Sequence, residues 1–476
     1  MGLLKSILTV GAGGIIAQVL TVVTMPMLTR LYSPFAFAGW ALFMSVAVIF
    51  ASVATLRYEL AVVLPETDEE GLNVLAASLL ASLAVAFLAV LFVPAIGPWL
   101  LGEWLSAELQ GWLWWLPVYV SACGVYTAGA YWLVRTEAFT WYAVSQMALP
   151  LCTLIGQFTA ALLGPDNSSG LIVGSLAGQG AVTAFMMVVL KRKISPALFA
   201  SLSWPAIYRS LRRYRMYPLY MTPYTLMGAL RDRVVYFVLG RFGTKVEAGY
   251  YSLSSRLVNM PNSLVSSALR PVFFQRAAVS GFASLEQTVT GTMRLQVIVL
   301  IPFWVLFLFH AQPLFALIFG EPWREAGLYA AILSVPAIPL LLGNWLDRAF
   351  DVLGRQRLAL VLEAVFALSS VVALIAGVWL FRSTIAAVSL QAGIITVYYC
   401  LWLVLLFRLA RFPQAVLGRL FVLALSLGGL TALPCWFLGR ILPGLYPFYL
   451  VLIILVGVVG AYVLREWRLR GLGYRA

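Results

Sequence analysis

Ser252, Arg256, Asn259, Ser263, Ser266 or Ser267, and Arg270 follow one another at intervals of three or four residues. That spacing stacks side chains along one face of an α-helix. The other faces carry Leu253, Leu257, Val258, Leu264 and Val265, so a polar stripe runs down a helix otherwise fit for lipid. Such a stripe faces a cavity or the interior of a helix bundle. Its chemistry is anion binding, because a guanidinium presents a fork of donors that matches phosphate oxygens. An arginine at the centre of a span costs about 2.5–3.5 kcal/mol on insertion scales, so it lines a path or finds a charge partner.

One helix earlier the chain reads ALRDRVVYFV over residues 229–238. Arg231 and Arg233 are two residues apart and point roughly 200° from each other on a helix, so at most one shares the direction of Arg256. Arg233 and Asp232 are expected to face inward or to pair, with Arg231 toward the outer end or a neighbouring helix. The alternative is that Arg256 merely pairs with Asp232 and locks two helices. Against it, Asp232 offsets only one of three arginines, and the two remaining positive charges favour an anionic ligand. Gln18, with Pro26 in the first helix, is read either as cavity-lining or as packing. Arg57 and Glu59 at the inner end of the second helix are either a surface pair or a gate. The single histidine, His310, fits a local hydrogen bond better than a proton relay.

The elements that must position these residues are membrane helices. Of 476 residues 62% are hydrophobic and 11% charged, and apolar runs of about 20 residues recur along the chain. Segments such as 74–93, 171–190 and 450–464 are apolar all round, which excludes a soluble globular fold. The first apolar run, Ile7–Leu28, exceeds a signal-peptide core and is read as the first span. Apolar runs, turn signals and charges together predict fourteen helices, near 7–29, 37–56, 73–98, 112–134, 141–163, 170–190, 214–240, 248–271, 292–319, 326–346, 358–380, 385–407, 418–439 and 446–464. Pro218 and Pro223 should break or bend the start of the seventh.

With the N-terminus inside, 23 of the 32 Lys and Arg fall in cytoplasmic segments, six in outer loops and three, Arg231, Arg233 and Arg256, within spans. Positive loops stay cytoplasmic, so both termini are expected inside. Basic loops against an anionic inner leaflet account for the net charge of +14 without nucleic acid. Cys123, Cys152, Cys400 and Cys435 have no paired spacing and are expected to be buried packing residues rather than disulfides or metal ligands. No phosphate loop, no H-E-x-x-H and no extended outer loop for catalytic carboxylates is present in the sequence. The reading is therefore a non-enzyme that does not hydrolyse ATP itself.

The chain echoes itself after about 210 residues. LTRLYSPFAFAGW (Leu28–Trp40) is answered by LGRFGTKVEAGYY (Leu239–Tyr251), and YWLVRTEAF (Tyr131–Phe139) by NWLDRAFDV (Asn344–Val352), with Trp132/Arg135 matching Trp345/Arg348. The expected build is an all-α polytopic membrane protein of two pseudo-repeated six-helix lobes, 1–190 and 214–410, around a central cavity. A basic connector, 191–213, joins them, and 411–476 adds a helix pair and a basic tail. Lobes repeated in this way rock to alternate access to their cavity. The connector mixes basic residues with Phe199, Trp204, Ile207 and Tyr208, as suits either a helix on the inner membrane surface or a solvated linker.

At LTRLYSP (Leu28–Pro34), LRYELAVVLPETDEE (Leu56–Glu70) and GYYSLSSRLVNMP (Gly249–Pro261) the chain resembles the Wzx-type polysaccharide flippases. These belong to the multidrug/oligosaccharidyl-lipid/polysaccharide exporter superfamily, which also contains the lipid II flippases. The resemblance implies a V-shaped alternating-access transporter of the bacterial inner membrane that moves undecaprenyl-pyrophosphate-linked oligosaccharide outward. It makes Arg256 the counterpart of a cavity arginine and Arg57 approximately that of another. The expected substrate-binding set is Arg256, Arg233, Arg231, Arg57, Asn259, Ser252 and Gln18, with Asp232 as charge partner. The expected partners are the lipid-linked glycan, membrane lipids and other polysaccharide-assembly proteins, around a monomer. No cofactor or metal is expected, and coupling to a sodium or proton gradient or to the membrane potential stays open. A cation-coupled drug or metabolite antiporter is the alternative, with a membrane glycosyltransferase or polymerase behind it.

Overall fold

A computed structural model describes residues 3–101, 107–164, 168–244, 246–280, 285–346, 349–353, 355–441, 446 and 448–457. These residues form α-helices joined by short 3-10 and π turns, and no strand occurs among them. In chain order they are α1 (Leu3–Leu31), α2 (Pro34–Ser52), α3 (Asp68–Leu101), α4 (Ala107–Leu113), α5 (Leu116–Arg135), α6 (Phe139–Leu163), α7 (Ser168–Lys193), α8 (Pro196–Ala200) and α9 (Trp204–Arg213). There follow α10 (Thr222–Phe242), α11 (Glu247–Ser280), α12 (Glu286–Phe319), α13 (Ala326–Gly343), α14 (Ala349–Val352), α15 (Gln356–Phe381), α16 (Thr384–Leu409) and α17 (Gln414–Ile441), then α18 (Phe448–Gly457).

Among the described residues ten helices are long and apolar enough to cross a membrane, namely α1, α2, α3, α6, α7, α12, α13, α15, α16 and α17. The chain is a multi-pass membrane protein. α5, α10 and α11 match three further expected spans but are more polar, α10 and α11 because they carry the arginines under discussion. Of the fourteenth expected span, 446–464, the described part is α18 and residue 446; the rest, the basic tail, Lys245 and Arg348 lie outside the described residues.

Helix starts follow local chemistry. At α2 the Ser33 side chain accepts the Ala36 N–H and Pro34 occupies the first turn, where its missing donor costs nothing. Asp68, Glu69 and Glu70 form the first turn of α3, with negative charge at the positive end of the helix dipole. Pro218 falls in a π-helical turn, Tyr217–Met221, and Pro223 in the first turn of α10. The break expected from the two prolines is therefore a change of helical pitch rather than a loop.

The chain packs as two units, one of Met1–Leu253 with Leu360–Val388 and one of Ser254–Ala359 with Ser389–Ala476. This division follows which helices touch, and it cuts α11 rather than the connector from which the sequence echo draws its halves. In the first unit α6 and α7 approach at backbone distance. A Cβ on Gly174 would overlap the Gln157 backbone nitrogen, and one on Gly178 would sit 2.5 Å from that of Thr153. Small residues every fourth position let membrane helices close in this way. Tyr32 donates to the Gln157 carbonyl at 2.7 Å, and Trp40 Nε1 to Ser175 Oγ at 2.9 Å. Tyr58, Trp132, Leu133 and Met186 form a core against which Leu198, Leu202, Leu211 and Tyr217 pack, so the connector is docked helix rather than a solvated linker.

In the second unit α12 packs on α13 and α17, and Leu306, Cys435 and Val451 make a small core. His310 Nδ1 lies 3.1 Å from the Leu306 carbonyl, with its ring against Phe448. The four cysteines are free, but only Cys435 is buried and Cys400 is exposed. This corrects the expectation of buried packing: on a membrane helix an outward face meets lipid, where a thiol costs little.

Candidate functional site

The charges of ALRDRVVYFV are organised by a residue on another helix. Arg231 on α10 donates from Nε to Asp232 Oδ1 at 2.9 Å and is ion-paired through Nη1 to Glu363 on α15. Its guanidinium lies 4.6 Å over the Phe366 ring. Glu363 and Phe366 are three residues apart and so share a face of α15, where the carboxylate takes the edge of the guanidinium and the ring its plane. Both charged side chains are shielded, at 17% and 15% exposure.

Arg233 diverges from Arg231, as helical geometry requires, and lies 5.7 Å over the Tyr236 ring. Tyr236 in turn meets Tyr251 of α11 edge-on at 5.3 Å. Glu363 is missing from the residues expected to matter, although a lone carboxylate in LALVLEAVFALSS is a visible signal. It corrects the charge balance within spans. Three arginines stand against two carboxylates, so the excess is one positive charge rather than two.

The stripe on α11 divides into two parts. Asn259, Ser263 and Ser267 are exposed and Arg256 is half-buried, four residues spaced along one accessible row. Asn259 Nδ2 donates to the Ser255 carbonyl at 2.8 Å, Ser263 Oγ to that of Met260 at 2.8 Å and Ser267 Oγ to that of Leu264 at 2.9 Å. Each polar group is thus satisfied within its own helix while its remaining capacity faces outward. The rest of the stripe is structural. Ser252 is only 2% exposed. Ser266, also buried, accepts from Asn344 Nδ2 at 3.2 Å, and Arg270 Nη2 donates to the Asn344 carbonyl at 3.2 Å. Phe273 meets Trp345 edge-on at 5.6 Å beside this tether.

The LRYELAVVLPETDEE segment forms a turn between α2 and α3. Leu56 and Arg57 have φ of 48° and 63°, a left-handed conformation that non-glycine residues rarely adopt and that clusters at functional sites. Glu59, 1% exposed, accepts from the Thr55 hydroxyl and from Arg57 Nη1, the latter at 3.2 Å. Arg57 Nε is buried with no hydrogen-bond partner among the described residues.

Arg135, at the end of α5, holds the turn together. It donates through Nη1 to the Val62 and Pro65 carbonyls at 3.1 and 2.8 Å and through Nε to Asp68 at 3.0 Å. The sequence marked Arg135 only as half of a repeat. Gln18 lies half-buried on α1. Among the described residues no group of three or more His, Cys, Asp or Glu could hold a metal ion. What the arrangement offers is donors and positive charge, the requirements for holding an anion.

The family described as "Polysaccharide biosynthesis protein" matches residues 15–327. No curated protein is matched by the sequence. Among solved structures, the lipid II flippase MurJ in an inward closed conformation superposes with a TM-score of 0.72 at 14% identity, over 95% of this chain and 98% of that one. An inward-facing multidrug resistance MATE family transporter of the MOP superfamily gives 0.58 at 15% identity, over 88% and 95%. The MATE multidrug transporter DinF-BH, solved as a complex, gives 0.54 at 16% identity, over 86% and 96%. At these identities the likeness is one of fold.

Proposed function

The chain belongs to the polysaccharide biosynthesis protein family, and on that premise we propose that it is a flippase for undecaprenyl-pyrophosphate-linked oligosaccharide. The observation that carries this reading is the accessible row on α11, with the half-buried Arg256 at its head and Asn259 and Ser263 following. Arg256 supplies the forked donor for the pyrophosphate, and the amide and hydroxyls below it suit a glycan. Arg57, whose Nε has no hydrogen-bond partner among the described residues, and Arg233 are proposed as further cationic residues for the same anionic substrate. Arg231, held by Asp232 and Glu363, positions α10 against α15, and the buried Ser252 serves packing. Gln18, half-buried on α1, is proposed as a further polar contact.

The protein works as a transporter rather than an enzyme, in the bacterial inner membrane with both termini in the cytoplasm. A sodium or proton gradient or the membrane potential drives export. One observation favours a cation-coupled antiporter instead, the two carboxylates Asp232 and Glu363 within spans. Both contact Arg231, however, and with Arg233 they make a cluster of no net charge, a poor seat for an organic cation.

The test is glycan export in a host lacking its own exporter. Arg256→Ala is expected to abolish export while the protein still reaches the membrane, and Arg256→Lys to restore part of it, since a lysine keeps the charge and loses the fork. Full export by Arg256→Ala would overturn the assignment.

A further inference from the structure

α9 is docked on the first unit through Ser210, Leu211 and the following Tyr214, and leaves Trp204, Tyr208, Arg209 and Arg212 exposed on its other side. The Tyr58 hydroxyl donates to the Leu211 carbonyl at 3.0 Å, Arg213 is ion-paired to Glu70, and Ser210 is buried. Trp204 and Tyr208 are exposed on α9, and Met216, Leu219 and Tyr220 are exposed just beyond it. Where α9 ends, Tyr208, Arg209, Arg212, Arg213, Arg215 and Met216 line a pocket of about 580 Å³.

Four guanidiniums around one pocket exceed what the local acids offset. Glu70 is paired with Arg213. The helix C-terminus offsets roughly half of one further charge, so Arg209, Arg212 and Arg215, for which no carboxylate partner occurs among the described residues, form a cationic rim.

We propose that this pocket binds the phosphate headgroup of an anionic phospholipid, with Trp204, Tyr208, Met216 and Leu219 meeting its acyl and glycerol region. Two features favour a lipid over a free anion. Exposed aromatic and aliphatic side chains flank the arginines on the same stretch of chain, the composition of a helix lying in a membrane interface. The same stretch leads directly into α10, so the pocket sits at the membrane end of a helix rather than on a projecting domain. The site does not use Arg256 and does not depend on the flippase reading.

The experiment compares the full chain in detergent with added phosphatidylglycerol, phosphatidylcholine or inorganic phosphate, reading bound lipid by native mass spectrometry and the unfolding midpoint. Wild type is expected to retain phosphatidylglycerol and gain stability from it, with little response to phosphatidylcholine or millimolar phosphate. The triple variant Arg209→Gln, Arg212→Gln, Arg215→Gln, which leaves the Arg213–Glu70 pair intact, is expected to bind phosphatidylglycerol on the order of a hundredfold more weakly. The corresponding triple lysine variant should recover most of the binding, and an unchanged gel-filtration profile shows that each variant is folded. Equal retention of both lipids, equal binding by the glutamine variant, or competition by inorganic phosphate at the same concentration as the lipid would overturn the proposal.

Discussion

At the residue scale, a side chain's surroundings decide whether its charge is spent on the fold or left for a ligand. Arg231 is spent on Glu363, Asp232 and the Phe366 face. Glu363→Gln should therefore destabilise the protein, by about 2–3 kcal/mol, because it leaves a shielded guanidinium short of one partner while Asp232 remains. The check is a lower unfolding midpoint in detergent, largely recovered in Arg231→Met with Glu363→Leu, where both charges are gone. An unchanged midpoint for Glu363→Gln would mean that the pair carries no net stability. Periodicity placed Arg231 and Arg233 on diverging faces. It could not say that a carboxylate 132 residues away would lie opposite, because that depends on which helix packs beside α10.

At the element scale, the apolar runs and the prolines at the start of α10 were legible because each is a local effect, whereas α3 begins at Asp68, five residues before the span expected from residue 73. The division of the α11 stripe was not: spacing gives a face, whereas burial of Ser252 and Ser266 depends on the neighbours that cover them. The α6–α7 crossing belongs to the same class. Gly174→Leu should disrupt it, since even a Cβ meets the Gln157 backbone, whereas Gly180→Leu on the same helix has open space around it. The first variant is expected to aggregate or elute early in gel filtration and the second to behave as wild type. Arg135→Ala should loosen the Val62–Asp68 turn through the loss of three hydrogen bonds, a cost of about 2–4 kcal/mol, and make the loop more sensitive to limited proteolysis.

At the scale of the whole molecule, ten apolar helices among the described residues and the family match make this a membrane protein of polysaccharide biosynthesis, and the distribution of arginines supports its proposed orientation. A cysteine introduced at Ser203 in a background without native cysteines should react only with a reagent supplied from the cytoplasmic side, and one at Glu325 only from outside. The reverse pattern would invert the topology. Two of the motifs that carry the family resemblance, LTRLYSP and GYYSLSSRLVNMP, also meet a backbone demand. A Cβ on Gly249 would overlap the Pro34 carbonyl oxygen, so the two echoed motifs meet at a point only glycine permits. The proposed transport is tested most directly by transbilayer movement of a pyrophosphate-linked oligosaccharide in proteoliposomes of the purified chain. Wild type should expose the glycan on the opposite leaflet, and Arg256→Ala should fall to the protein-free rate. Movement by wild type no faster than in empty liposomes under every imposed gradient, or equal movement by Arg256→Ala, would contradict it.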